Sequence, residues 1–151
     1  MSSQTRIEHG GGNLGYLLRR VQHAFRLRLD KALAQLGVTT PQYAVLSSLS
    51  IEPGISNAAL ARAAMVTAQT MLGIVENLEK RGLLSREPDA GHGRVLAASL
   101  TERGKAVAQK AHRIARLVED EMVGGVSLAE VERTRRMLEK FAENLADAVN
   151  G

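Results

Sequence analysis

The feature of this chain that most restricts its fold is a short link. Ser56 to about Ala64 and about Thr67 to Arg81 both read as helices, joined only by Met65-Val66-Thr67. A link of that length permits a sharp helix-turn-helix corner and little else. Ser56 is placed as N-cap of the first helix, its hydroxyl taking an N–H that the first turn leaves unpaired. In the second helix Ala68, Met71, Leu72, Val75 and Leu78 recur at i, i+3, i+4, i+7 and i+10, one face of a 3.6-residue period. The opposite face carries Gln69, Thr70, Gly73, Asn77 and Lys80, polar and uncharged near its start and basic at its end. Taken alone, that is what any amphipathic helix shows to water. The flanks change the reading. Gly82 stops the helix just past its last turn. Leu83 to Glu87 and Val95 to Leu100 then read as strands around Pro88-Asp89-Ala90-Gly91-His92-Gly93, with Arg94 where the hairpin leaves its tip. This is a helix-turn-helix with a wing. A helix of this composition suits a major groove, where amides and hydroxyls read base edges and a basic end lies near phosphate.

The remaining segments read mainly as helix. Residues 1–12 are polar, end in three glycines and are expected to be a flexible tail. From about Asn13 to Leu36, Leu14, Leu17, Leu18, Val21, Phe25, Leu29, Ala32, Leu33 and Leu36 share one broad face, and Gly37 is the stop signal. Thr40-Pro41 starts the next helix, with Thr40 as N-cap and Tyr43, Ala44, Leu46 and Leu49 as its buried side. Glu52-Pro53-Gly54 ends it with a turn. After the wing a long helix runs from Thr101 to about Val123, with Val107, Ala108, Ala111, Ile114, Ala115, Val118 and Met122 stepping by threes and fours. Gly124-Gly125 breaks it, and Ser127 with Glu130 forms a capping box for a last helix. That helix carries Val131, Thr134, Leu138, Phe141, Ala142, Leu145, Ala148 and Val149.

Composition sets limits on partners. Only 3% of residues are aromatic and none is Trp, so a core drawn from the 44% hydrophobic residues is aliphatic and Ala-rich. The absence of cysteine excludes disulfides, thiol redox sensing and Cys-ligated metals. A net charge of +4 and a pI near 9.8 suit a polyanionic partner. No apolar run is long enough to cross a bilayer and no signal-peptide core is visible, so a cytoplasmic protein without a membrane partner is expected.

The run Leu78-Glu79-Lys80-Arg81-Gly82-Leu83-Leu84 with Arg86, then Arg94, then Leu100-Thr101-Glu102-Arg103-Gly104, resembles the MarR family of bacterial transcriptional regulators. The resemblance covers about Asn13 to Val149. One departure is the wing: the family often has Asp, one residue, then Arg, whereas four residues separate Asp89 from Arg94 here. The resemblance implies a mainly α fold with a small β-wing and N- and C-terminal dimerisation helices. The apolar stripes of the first helix and the last two lie outside the winged module and point the same way, since they must be buried against each other or a second chain. The expected organisation is a tail (1–12), a winged helix-turn-helix DNA-binding domain (39–100) and a dimerisation region (13–38 and 101–151). A two-fold dimer offers two recognition helices to a pseudo-palindromic duplex site, with half-site centres roughly 10 base pairs apart. The resemblance also implies regulation, with repression the expected direction, relieved by a small ligand, often an anionic aromatic compound, bound where the dimer helices meet the winged module. Tyr16, His23, Arg26, Tyr43, His112 and Arg116 are the candidate ligand residues on that basis.

For DNA, Gln69 and Thr70 are the expected base readers, with Asn77 further along and Ala68 in the same first turn. Gln bonds adenine in a bidentate way, and Thr donates, accepts or touches a thymine methyl. Ser56 and Thr67, at helix N-termini, face phosphate, as does Lys80. Gly73 lets the backbone approach the groove. Arg94 and His92 are expected in the adjacent minor groove. Two other classes compete. An architectural DNA-binding protein would favour Lys or Arg over Gln69-Thr70 at the helix start. An all-α metabolite enzyme would use Arg20, Arg113 or Arg116. His9, His23, His92 and His112 fall in no metal or nucleophile spacing, and HExxH, GxSxG and phosphate-loop motifs are absent. The chain is therefore read as a non-enzyme without cofactor or metal.

Overall fold

The computed structural model describes residues 13–89, 91 and 96–150, with side chains to residue 147. Helix α1 (Leu14–Leu33) closes in a 3-10 turn (Ala34–Leu36). Helices α2 (Thr40–Ile51), α3 (Asn57–Ala64) and α4 (Ala68–Lys80) follow, then strands β1 (Leu84–Pro88) and β2 (Leu96–Leu100), then α5 (Glu102–Met122) and α6 (Leu128–Asn150). The fold is thus mainly α with a small antiparallel hairpin. The chain divides into two units, one ending at Val118 and one beginning at Glu119.

In the first unit local chemistry sets the helix ends. Asn13 caps α1 by accepting from the Tyr16 N–H at 2.7 Å. Helix α2 is capped by Thr39, not Thr40. Gln42 lies three residues after Thr39, so a reciprocal capping box closes there, with Thr39 N–H donating to Gln42 Oε1 at 3.0 Å. Thr40 turns away instead, its hydroxyl and N–H both donating to Asp30 Oδ1 at 2.6 and 2.8 Å. Helix α4 ends in a Schellman motif. Gly82 takes φ +71°, its N–H donates to Glu79 O, and the Leu83 N–H reaches back to Leu78 O. Strand β1 pairs with β2 from Leu84↔Leu100 to Pro88↔Leu96, one residue inward of the expected span at Leu83. Val95, the expected start of the second strand, lies outside the described residues. The Gly54 N–H donates to Ala98 O at 2.8 Å, which lays the α2–α3 loop along the free edge of β2.

Two apolar clusters fill this unit. The larger joins Val45, Leu46 and Leu49 of α2, Leu60 of α3, Met71, Val75 and Leu78 of α4, and Leu83, Leu84 and Ala98. The smaller packs Leu29 and Leu33 of α1 on Ala111, Ala115 and Val118 of α5. The buried side of α2 includes Val45, while Tyr43 and Ala44 are only half-buried. The expected apolar face of α4 also needs correction. Leu72 is 48% exposed and Ala68 is exposed, whereas Ile74 is half-buried against the core. Met71, Val75 and Leu78 centre the buried stripe. At about 100° per residue, Leu72 falls to one side of it and Ile74 to the other. Ala68, at the first helical position, lies beyond the core's edge.

The second unit contains the last turn of α5, a turn with Gly125 at φ +80°, and α6. Ser127 and Glu130 form the expected capping box, Ser127 N–H and hydroxyl both donating to Glu130 Oε2 at 3.1 and 2.6 Å. Those bonds hold the Glu130 carboxyl below its usual range. No described α6 side chain is fully buried. Leu128, Met137, Leu138 and Leu145 are exposed.

Candidate nucleic-acid interface and ligand cleft

Helices α3 and α4 meet at 100°, the angle of a helix-turn-helix corner. The corner turns on Met65, which adopts the left-handed conformation (φ 54°) and donates its N–H to the α3 carbonyls. Asn57 braces the joint by donating from Nδ2 to Ala68 O at 3.1 Å. Ser56 caps α3 through the Ala59 N–H at 3.2 Å, and Thr67 caps α4 through the Thr70 N–H at 3.1 Å. The Thr67 hydroxyl in turn donates to Thr70 Oγ1 at 2.9 Å, so the two threonine hydroxyls act as one unit at the helix start.

On the outer side of α4, Ala68, Gln69, Thr70, Gly73, Asn77 and Lys80 are all exposed. A Cβ added to Gly73 would meet nothing within 4 Å, so this stretch of backbone faces open space. Two observations qualify the expected set. Asn77 is not free, since its Oδ1 accepts from Gln42 Nε2 at 3.1 Å. Glu76, outside the expected set, is also exposed and sits one turn before Lys80. Arg86 of β1 is committed to the back of α4, donating from Nε and Nη2 to Glu79 Oε2 at 2.9 and 2.6 Å. Arg81 donates to Gly37 O at 2.9 Å. These two arginines tie the C-terminal end of α4 to β1 and to the turn that follows α1. His92 and Arg94 lie outside the described residues.

A second site lies between α2 and α5. A cavity of about 350 Å³ is lined by Tyr43, Ser47, Ser50, Ile51, Ala108, Gln109, His112 and Arg113, within the size range of small-molecule sites. Tyr43 and His112, both anticipated, meet there, with Tyr43 Oη and His112 Nδ1 3.2 Å apart. Arg113 lines the cavity and Arg116 does not. Tyr16, His23 and Arg26 are exposed on α1 outside this lining. Tyr16 lies under the Arg20 guanidinium at 5.7 Å, and Arg26 pairs with Asp30 at 3.7 Å. Among the described residues no group of His, Asp and Glu is arranged to hold a metal ion, and no single helix is long and apolar enough to cross a membrane.

A cross-braced helix pair, a polar outer helix and a hairpin tied to its back by an ion pair together define a winged helix-turn-helix protein. Comparison with known proteins narrows the class. The MarR family profile matches residues 36–95. The HTH-type transcriptional repressor Rv2887 of Mycobacterium tuberculosis is 38% identical over 131 residues, covering 87% of this chain and 94% of its own. The chain belongs to the MarR family of winged helix-turn-helix transcriptional regulators. A crystal structure of Rv2887 in complex with salicylic acid is similar to it with a TM-score of 0.74 and 37% identity, over 89% of this chain and 99% of that one. Rv2887 in complex with DNA gives a TM-score of 0.70 and 36% identity, over 87% and 98%.

Proposed function

We propose that this chain is a homodimeric, sequence-specific repressor that places α4 in successive major grooves of a pseudo-palindromic operator and is released by a small anionic aromatic ligand. The observation that carries the reading is the outer face of α4, where Gln69, Thr70 and the uncovered backbone at Gly73 stand clear of the core. Gln69 and Thr70 supply the donors and acceptors that base edges require. Thr67 and Ser56 place helix N-termini toward phosphate, with Lys80 further along and Arg94 and His92 assigned to the minor groove. The exposed Glu76 on the same helix speaks against a purely electrostatic binder, because a carboxylate there repels phosphate on any sequence. The relative Rv2887, a transcriptional repressor with a crystal structure in complex with DNA, supports the same conclusion.

The dimer is inferred from surface that a single copy leaves bare. Leu14, Leu17, Leu18 and Val21 of α1 and Leu138 and Leu145 of α6 are 37–69% exposed. A second copy is the partner that would bury them. For the ligand, the α2–α5 cavity offers Arg113 and His112 to a carboxylate and Tyr43, Ile51 and Ala108 to a ring. The salicylic acid complex of Rv2887 supports an aromatic acid as the ligand class. Release requires that the ligand bind the DNA-incompetent state more tightly than the competent one.

Selection of bound duplexes from a random pool, with the mass of the winning complex measured, tests the reading. A pseudo-palindromic motif held by two chains is the expected result, and salicylate should weaken that complex. Salt-sensitive binding with no motif would instead place the chain among architectural DNA-binding proteins.

A further inference from the structure

Asn77 and Gln42 are thirty-five positions apart, yet their side chains form one unit. The capping box fixes how Gln42 is turned. Its Oε1 accepts from the Thr39 N–H at 3.0 Å, so its Nε2 is left pointing at α4. Two amide nitrogens facing each other would leave both donors unpaired, so Asn77 must turn its oxygen inward. Its Oδ1 accepts from Gln42 Nε2 at 3.1 Å. The Asn77 Nδ2 is left as a donor with no partner among the described residues. Asn77 also continues the row Gln69, Gly73, Asn77, spaced by four along the exposed side of α4, so these positions share one face.

A free asparagine reads adenine through both amide atoms at once. One whose oxygen is held behind it offers a single donor. We propose that Gln42 is a specificity-determining residue that acts through Asn77, turning its amide so that a base edge with an acceptor is chosen: guanine through O6 or N7, thymine through O4, or adenine through N7. Cytosine, which shows only a donor in the major groove, is disfavoured. Gln42 is a positioning residue, and the contact to the base is made by Asn77. This rests on the reading of α4 as the base-reading helix.

The test is Gln42→Glu. Glutamate keeps the capping box, since one carboxylate oxygen still accepts from Thr39. The other oxygen can only accept, so Asn77 must flip, donate inward and present Oδ1 to the groove. Random-pool selection with the full chain should then show a changed preference at one symmetric pair of operator positions, from guanine or thymine toward cytosine, on the order of tenfold, with adenine suiting either orientation because it carries both a donor and an acceptor. The added negative charge weakens binding on all sequences alike and so does not mimic this change. Asn77→Ala should abolish preference at the same positions and identifies them. Unchanged preference in Gln42→Glu, or a uniform loss of affinity with the preference retained, would overturn the proposal while leaving the regulator intact. Failure of the unmodified chain to select any motif would overturn the regulator reading, and this proposal with it.

Discussion

Replacing Gly104 with Ala is expected to destabilise the protein, although Ala is the better helix former by about 1 kcal/mol. Gly104 lies in the first turn of α5 with helical backbone, so left-handed geometry is not the issue. The issue is distance. A Cβ there would sit 1.8 Å from the Leu83 carbonyl oxygen and 2.8 Å from its carbon. Ordinary contact begins near 3.4 Å, so the two backbones would have to part by about 1.6 Å. Neither side yields easily. Leu83 and Leu84 are 1% exposed, and Leu83 O accepts the Thr101 N–H at 3.2 Å. Thr101 in turn donates its hydroxyl to Gly82 O at 2.6 Å and accepts the Gly104 N–H at 3.0 Å, which caps α5.

Parting the backbones therefore strains a packed core, at about 1–3 kcal/mol, and disrupts the cap, at about 1 kcal/mol. The cap loss roughly cancels the helix-propensity gain, so the net expectation is a loss of about 1–3 kcal/mol. Urea unfolding at fixed protein concentration would read this as a lower midpoint with an unchanged slope. A Gly104→Ala protein as stable as the parent, or more stable, would refute the reasoning.

Gly73→Ala should have the opposite sign, because nothing lies within 4 Å of the added methyl. Stability should rise by about 1 kcal/mol while operator affinity falls in a binding titration, the methyl standing between backbone and groove. Met65→Gly should stabilise the fold by about 0.5–1 kcal/mol, since a methionine at φ 54° bears the left-handed penalty and glycine does not, less what glycine adds to the freedom of the unfolded chain; a lowered melting temperature would count against that account. Glu130, held below the ordinary 4.5 by its bonds from Ser127, contributes stability above that value that is lost as pH falls through its lower folded pKa. An NMR titration should place its midpoint below 4.5, and Ser127→Ala should return it toward 4.5.

The parts of the fold visible in the sequence are those fixed by chemistry within a few residues. Ser56, Thr67 and Ser127 cap helices because a hydroxyl and a nearby N–H suffice, and Gly82 ends α4 for an equally local reason. Thr39 and Thr40 carry the same side chain, and only Gln42, three residues after Thr39, decides between them. Tertiary distances are not visible in this way. Gly104 reads as an ordinary glycine near a helix start, and what makes it irreplaceable is a carbonyl twenty-one residues earlier. Placement of the outer face of α4 was legible because a stripe of apolar residues fixes the rotation of a helix. The width of that stripe was not, since Leu72 and Ile74 exchange places according to what lies beside them. The ligand cleft was harder still. It exists only where α2 and α5 come together, and Arg113 rather than Arg116 lines it because of the rotation of α5 at that contact.

The stripe of α1 carries the same limit one step further. By period alone Leu14, Leu17, Leu18, Val21, Leu29 and Leu33 are equivalent members of one face. The fold separates them. Leu29 and Leu33 are at most 2% exposed against Ala111, Ala115 and Val118, while Leu14 to Val21 are 37–61% exposed. Small residues on α5 let the C-terminal half of α1 pack closely, and the stripe then runs on for two further turns past the core that it meets. A surface helix has no use for that extension in water, where each side chain left about half exposed forgoes on the order of 1 kcal/mol of burial. An apolar stripe that outlasts its own core is therefore the surface that the proposed second copy would cover. The sequence shows the length of the stripe, and only the fold shows where the core stops.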